Sequence, residues 1–374
     1  MRPFRSSAFF RFTTENTENT EGTRLFSVIS VASVVKSFKE PEGKAASDLK
    51  SGGLRPPSGT YTVSLTSKTL GGAIMYAITG ATGNTGSVIA AKLLARGEKV
   101  RLIGRNAGRL EGFIRQGAEI CVADVTDAAA LTKAFTSAKA VYAMIPPNIA
   151  APEVSVYQER VSDALLSAIT NAGVQYAVVL SSVGADKPNK TGPVVGLHNL
   201  EQKLSSIAGL NALYIRAGYF MENTLAQIGV IQSFGLLGGP LRADLPVAMI
   251  ATRDIGDRAA EELLRLSFAG KQSRELLGQR DLTYREVASV IGKAIGKPNL
   301  DYSQFPPTLV KPALLQSGMS TSMADLILEM SEALNSGYMA PLEPRSAQNT
   351  TATTFETFVA EVFVPRFTGK ATAS

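Results

Sequence analysis

The sequence predicts an α/β protein, a doubly wound parallel sheet with a smaller C-terminal region covering its ligand face. Three observations carry this. From Met75 onward, short apolar runs alternate with segments of helical period, as parallel strands joined by crossover helices require. Glycines follow the helical segments where a left-handed C-cap is wanted. The first apolar run leads directly into Gly80-Ala81-Thr82-Gly83-Asn84-Thr85-Gly86, a glycine-rich turn that opens a helix.

Strands are expected at 76–79, 99–103, 119–123, 140–144, 175–181 and 212–216. Helices fall between them at 85–96, stopped by Gly97, at 107–116, stopped by Gly117, and at 127–135, 153–171 and 197–207. Asp127 is a good N-cap for the third of these. Beyond Arg216 the alternation loosens. The run 234–240 reads as a loop, and 254–266, 283–296 and 323–334 read as helices. The expected division is a sheet-building core over about 75–232, a covering region over about 233–345, and a tail over 346–374.

Apolar residues make up 45% of the 374, ample for a buried core, and 19% are charged, which excludes a disordered or strongly acidic chain. The net charge of +6 is unevenly placed: residues 1–74 carry ten Lys/Arg against six Asp/Glu, leaving 28 against 26 for the remainder. No basic stripe marks the folded part, so nucleic acid is not an expected partner. One cysteine and one histidine exclude an internal disulfide and argue against a protein-built zinc site, so no metal is expected. Cys121, within 119–123, is expected as a small core residue of a central strand. No stretch approaches the ~20 apolar residues of a membrane span, and a cytoplasmic location is expected. Both monomer and homodimer remain open.

Residues 1–74 have a different character. Asn16-Thr17-Glu18-Asn19-Thr20-Glu21 is a polar repeat, and 51–59 is linker-like. Arg2, Arg5 and Arg11 precede the first acidic residue, and 25–35 is apolar, but neither targeting pattern is complete. The expectation is a disordered leader or a misassigned upstream extension. Leu70-Gly71-Gly72-Ala73-Ile74 is what purine-rich, ribosome-binding codons would spell just ahead of Met75.

Gly80, Gly83 and Gly86 have the G-x-x-G-x-x-G spacing of short-chain reductases. One glycine allows the sharp turn, one lets backbone N–H groups approach a pyrophosphate, and one permits close helix–strand contact. The helix that begins near Thr85 then faces the phosphates with free amides and its positive dipole end. Thr82, Asn84 and Thr85 complete this candidate site, and the sheet is read as Rossmann-type. The second strand ends Gly104-Arg105-Asn106, without the carboxylate that grips the ribose hydroxyls in NAD-selective sites. Arg105 is placed to meet a 2′-phosphate or, as the plainer alternative, is a solvated loop arginine. NADP(H) is therefore the preferred cofactor, with NAD(H) possible. Asp124-Val125 would flank the adenine, though Asp124 also suits a helix start.

These residues, together with Val100-Arg101, Val179-Leu180-Ser181-Ser182, His198 with Glu201 and Leu204, the run from Arg216 to Asn223, and Asp254-Ile255-Gly256, resemble the NmrA-like family of atypical short-chain dehydrogenases/reductases over roughly 75–340. The resemblance implies either an NAD(P)H-dependent quinone or azo reductase, or a regulator that binds the dinucleotide as a redox signal and acts through a protein partner. It also implies that Ser181 or Ser182 occupies the superfamily's catalytic serine position.

None of the ten tyrosines has a lysine four residues downstream, so the Tyr-x-x-x-Lys acid/base pair of the main branch is missing. Lys203, five residues past His198, does not recreate it. His198 could bind substrate or donate a proton, or could simply cap its helix. Ser181, Ser182 and His198 are the catalytic candidates. Hydride transfer does not require a strong acid if the acceptor is a quinone or similar conjugated molecule, whose reduced anion is delocalised and weakly basic. Pro146, Tyr219, Phe220 and Asn223 are expected to line the pocket for such a small-molecule acceptor.

Overall fold

The structure, a computed structural model, describes residues 74–369. The expectation for the leader, Ile74 apart, lies outside them. The chain begins with β1 (Met75–Thr79), α1 (Asn84–Ala95), β2 (Lys99–Gly104), a 3-10 turn at Ala107–Leu110 that runs into α2 (Glu111–Ile114), β3 (Glu119–Val122), α3 (Ala128–Phe135), β4 (Ala138–Ala143), α4 (Val154–Asn171), β5 (Tyr176–Ser182), α5 (Val195–Ser205) and β6 (Asn211–Ala217). Every expected strand up to Arg216 is present. The helix expected at 107–116 is a 3-10 turn plus a single α turn. Gly108 and Gly112 weaken it, and the Asn106 side chain accepts the Gly108 N–H at 2.9 Å, favouring a turn.

β7 (Tyr219–Phe220), α6 (Gln227–Phe234), β8 (Leu237–Gly239), β9 (Val247–Ile250), α7 (Thr252–Arg265), β10 (Lys271–Leu276), β11 (Asp281–Leu282), α8 (Tyr284–Ala294), β12 (Tyr302–Gln304), α9 (Pro307–Gln316), α10 (Thr321–Asn335), α11 (Phe355–Phe358) and α12 (Val364–Phe367) complete the chain. The main sheet has seven strands in the order β3-β2-β1-β4-β5-β6-β10, each pair parallel. Its seventh strand comes from beyond residue 232, and α7 packs Ile255, Ala259 and Leu263 onto the same core cluster as α1. The chain thus returns to the sheet instead of dividing cleanly near 232.

Strand alternation feeds two cores. Tyr76, Ile78, Leu102 and Tyr142 face α1 and α7, whereas Ala77, Ile103, Val141 and Val179 face the side holding α3, α4 and α5. Cys121 sits half-buried on β3, an edge strand and not the central strand expected. The expected tail from 346 also packs inward: Phe355, Phe358 and Phe363 are fully buried beside Tyr284 and Tyr302. Among the described residues, no helix is long and apolar enough to cross a membrane. Strand order reverses between β1 and its neighbours β2 and β4, which opens a crevice at the carboxyl ends of the strands.

Candidate active site

The glycine turn fills the inner end of this crevice. Gly80 has φ +63°, a left-handed conformation, and its carbonyl accepts the Gly83 N–H at 2.9 Å. At Gly86 a Cβ would stand 2.8 Å from the Gly80 carbonyl carbon and closer still to its oxygen, so only glycine lets α1 seat so near the turn. Gly83, the N-cap, offers no side-chain bond to the helix, and no acidic residue occupies the first turn. The amides at the start of α1 are therefore left for an anion, and this cradle fits a dinucleotide pyrophosphate.

Around the turn, side chains are divided between support and exposure. Tyr142 on β4 donates from its buried hydroxyl to Thr85 Oγ1 at 2.8 Å, and Thr79 Oγ1 donates to the Tyr142 carbonyl at 3.0 Å. Thr85 therefore turns its hydroxyl inward, against Tyr142. Asn84 is exposed, and the Thr82 carbonyl accepts a bond from Arg109 at 3.3 Å. Arg105 is exposed at the end of β2. Asp124 accepts the Thr126 N–H at 2.9 Å and its hydroxyl at 2.7 Å, and these bonds, with a smaller contribution from the Arg105 charge, hold its carboxyl below the usual range. Arg105 and Asp124 thus flank one end of the crevice. Val125 is buried in the core with Ile103 and Ala123, so its side chain is not at the surface. Arg101 is bound to Glu119 and to the Ala134 and Thr136 carbonyls, away from the turn.

At its other end the crevice widens into a cavity of about 250 Å³. Met144, whose sulfur lies against Gly80, lines it and so joins turn to cavity. The expected pocket residues Pro146, Tyr219, Phe220 and Asn223 all line it, as do Ser181 and Ser182. Leu245 and Pro246, Val247 and Ala248 at the start of β9, and Met323, Met330 and Leu334 of α10 close it from the C-terminal region. No lining residue is Asp, Glu, Lys, Arg or His. Among the described residues, no group of His, Cys, Asp and Glu could hold a metal.

The catalytic candidates are differently placed. Ser181 is buried and donates to Glu201 Oε1 at 2.5 Å, and Glu201, itself buried, takes a two-pronged grip from Arg216 at 3.1 and 2.6 Å. Ser181 faces Arg216 across the β5–β6 register, so three elements meet in one ion-pair cluster beneath the cavity floor. That commits the Ser181 proton to Glu201. Ser182 donates to the Val183 carbonyl at 2.9 Å. His198 is held to the Ala185 carbonyl through Nδ1 at 2.8 Å and does not line the cavity; it ties α5 to the segment after β5 and does not cap its helix, so neither alternative is met. Nothing in the local pattern around Glu201 marks it as a buried partner of Ser181 and Arg216. The available signal was Arg216 itself, a charge ending an otherwise apolar strand, which requires a buried partner.

Comparison with known proteins agrees with this geometry. The model of the NmrA-like family matches residues 75–359. A (4-alkanoyl-5-oxo-2,5-dihydrofuran-3-yl)methyl phosphate reductase of Streptomyces griseus is 27% identical over 273 residues, 72% of this chain and 90% of the relative. The fold is shared with the NADPH-dependent quinone oxidoreductase of Escherichia coli complexed with NADPH, at TM-score 0.61 and 22% identity over 80% of this chain and 96% of that one. It is shared too with the Citrobacter sp. triphenylmethane reductase complexed with NADP(H), at TM-score 0.62 and 17% identity over 76% and 98%.

Proposed function

Because the chain belongs to the NmrA-like family, we propose that this NAD(P)H-dependent oxidoreductase draws hydride from NADPH and passes it to an uncharged, quinone-type or similarly conjugated acceptor. The observation that carries the reading is the lining of the cavity, apolar side chains and a few neutral polar ones with no charge among them. Excluding charge from a site that also excludes water suits a flat neutral acceptor, since a charged one would lose its hydration without a partner. The three proteins above have acceptors of related chemistry by name: a ring alkene beside two carbonyls, a quinone, and a triphenylmethane. Conjugation is what the three share, since the first also carries a phosphate by name.

NADPH, once bound, supplies the hydride. The protein binds, orients and excludes water. The α1 amides and the glycine turn hold the pyrophosphate, and Arg105 meets the 2′-phosphate through a charge-assisted bond. Met144 and Pro146 shape one wall where hydride passes, and Tyr219 and Phe220 the other. Ser181, tied to Glu201, fixes the end of β5.

Fluorescence titration with NADPH and NADH, followed by turnover with a panel of neutral quinones, tests this reading. It expects tighter NADPH binding and steady NADPH consumption. Tight binding with no turnover across the panel would instead favour a dinucleotide sensor acting through a protein partner.

A further inference from the structure

Reduction of a carbonyl-bearing conjugated acceptor places charge on oxygen, and a site without a strong acid still needs a donor there. Ser181 gives its proton to Glu201, Ser182 gives its own to the Val183 carbonyl, and Gln158 donates to the Pro193 carbonyl at 2.9 Å. Tyr219 is arranged the other way round. Its phenol oxygen accepts from the Tyr284 hydroxyl at 3.4 Å, and both Tyr219 and Asn223 line the cavity. An oxygen that accepts in this way has its own O–H left to give.

Resting on the function proposed above, we propose that Tyr219 donates the hydrogen bond that stabilises the acceptor's carbonyl oxygen as it becomes negative. As hydride joins the acceptor, the displaced π pair settles on that oxygen. Water then supplies the proton that completes the neutral product, and Tyr219 keeps its own. Burial raises the Tyr219 phenol above its ordinary range, which suits a donor that holds its proton and not one that transfers it. Tyr157, the other cavity phenol, feels the charges of Asp124 and Arg105 and so belongs to the cofactor end of the crevice. Tyr284 is a positioning residue that aims the Tyr219 hydroxyl.

The test compares two acceptors. A quinone develops an oxyanion, whereas a triarylmethyl dye cation, bound more weakly by an uncharged cavity, accepts hydride at carbon and develops none. Tyr219→Phe should lower kcat with quinones by roughly 10- to 100-fold, as expected for loss of a preorganised donor, with NADPH affinity and thermal midpoint little changed. Dye reduction should be unaffected, and Tyr176→Phe, a phenol outside the cavity that packs on Phe268, should leave both reactions intact. Tyr284→Phe should give a smaller loss confined to quinones. A second readout needs no turnover: para-nitrophenol bound with oxidised cofactor should titrate at a higher pH in Tyr219→Phe than in the wild type. Equal slowing of quinone and dye, an effect that follows Tyr176 instead, or an unshifted nitrophenol titration would overturn the assignment and leave the oxidoreductase reading standing. If the wild type turns over neither acceptor, that reading falls first and this one with it.

Discussion

Gly86→Ala tests whether the seat of α1 is the anion site. The new Cβ would lie 2.8 Å from the Gly80 carbonyl carbon, where ordinary contact begins at 3.4 Å, so the helix must retreat by about 0.6 Å (3.4 − 2.8) or more. The Gly80 carbonyl cannot swing aside easily, because it holds the Gly83 N–H at 2.9 Å. A phosphate bond of about 2.9 Å lengthened by that amount reaches ~3.5 Å and ceases to be a useful hydrogen bond. Losing one bond to a charged group costs roughly 1.5–3 kcal/mol, a Kd increase of about 10- to 150-fold. Overpacking should add about 1–3 kcal/mol of lost stability. NADPH and NADH should weaken in parallel, because both carry the pyrophosphate. Gly97→Ala is the control: at φ +75° it is strained, but nothing lies within 4 Å, so it should lower the thermal midpoint and leave both Kd values alone. Fluorescence titration of the two variants measures this. NADPH binding by Gly86→Ala within twofold of wild type, or an equal loss in Gly97→Ala, would refute the reasoning.

Arg105→Ala should weaken NADPH about tenfold, the lower end for a charge-assisted bond because the side chain is exposed, with NADH nearly unchanged. Calorimetry at fixed ionic strength decides this, and parallel weakening would pass the role to Arg109, which already touches the turn. Ser181→Ala should cost about tenfold or less in rate, since acid catalysis worth 10²–10⁴ does not rest on it. A thousandfold fall with folding intact would show otherwise. Glu201→Leu should destabilise by about 3 kcal/mol in urea titration, because it strands the Arg216 guanidinium. Desolvation pushes the Tyr76 and Tyr214 phenols up to about 12, while unfolded phenols titrate near 10, so the unfolded chain releases these protons first and stability falls as pH rises from about 10 to 12. Thermal midpoints that stay level across that window would contradict it.

The first six strands were legible because each is an apolar run between turn residues, and the glycine turn because its backbone demands leave few alternatives. The seventh, Lys271–Leu276, was not: its first four residues are polar and mostly exposed, and it sits at the sheet edge, so it shows no apolar run. Residues 346–369 were dismissed as tail although Phe355, Phe358, Val359, Val362 and Phe363 repeat at helical spacing, a signal present but short. The pocket residues were found from their position just past β4, for Pro146, and just past β6, for Tyr219, Phe220 and Asn223. The fate of Ser181 depended on Glu201 and Arg216, partners from two other elements that no local pattern pairs.

The central claim, an NADPH-driven transfer into an uncharged cavity, is tested most directly by measuring NADPH consumption with a neutral quinone and with the same quinone bearing a sulfonate. The account predicts turnover of both, with kcat/KM at least about tenfold higher for the neutral one, since an unpartnered sulfonate would have to be desolvated. No NADPH consumption with either, or a preference for the sulfonate, would contradict it.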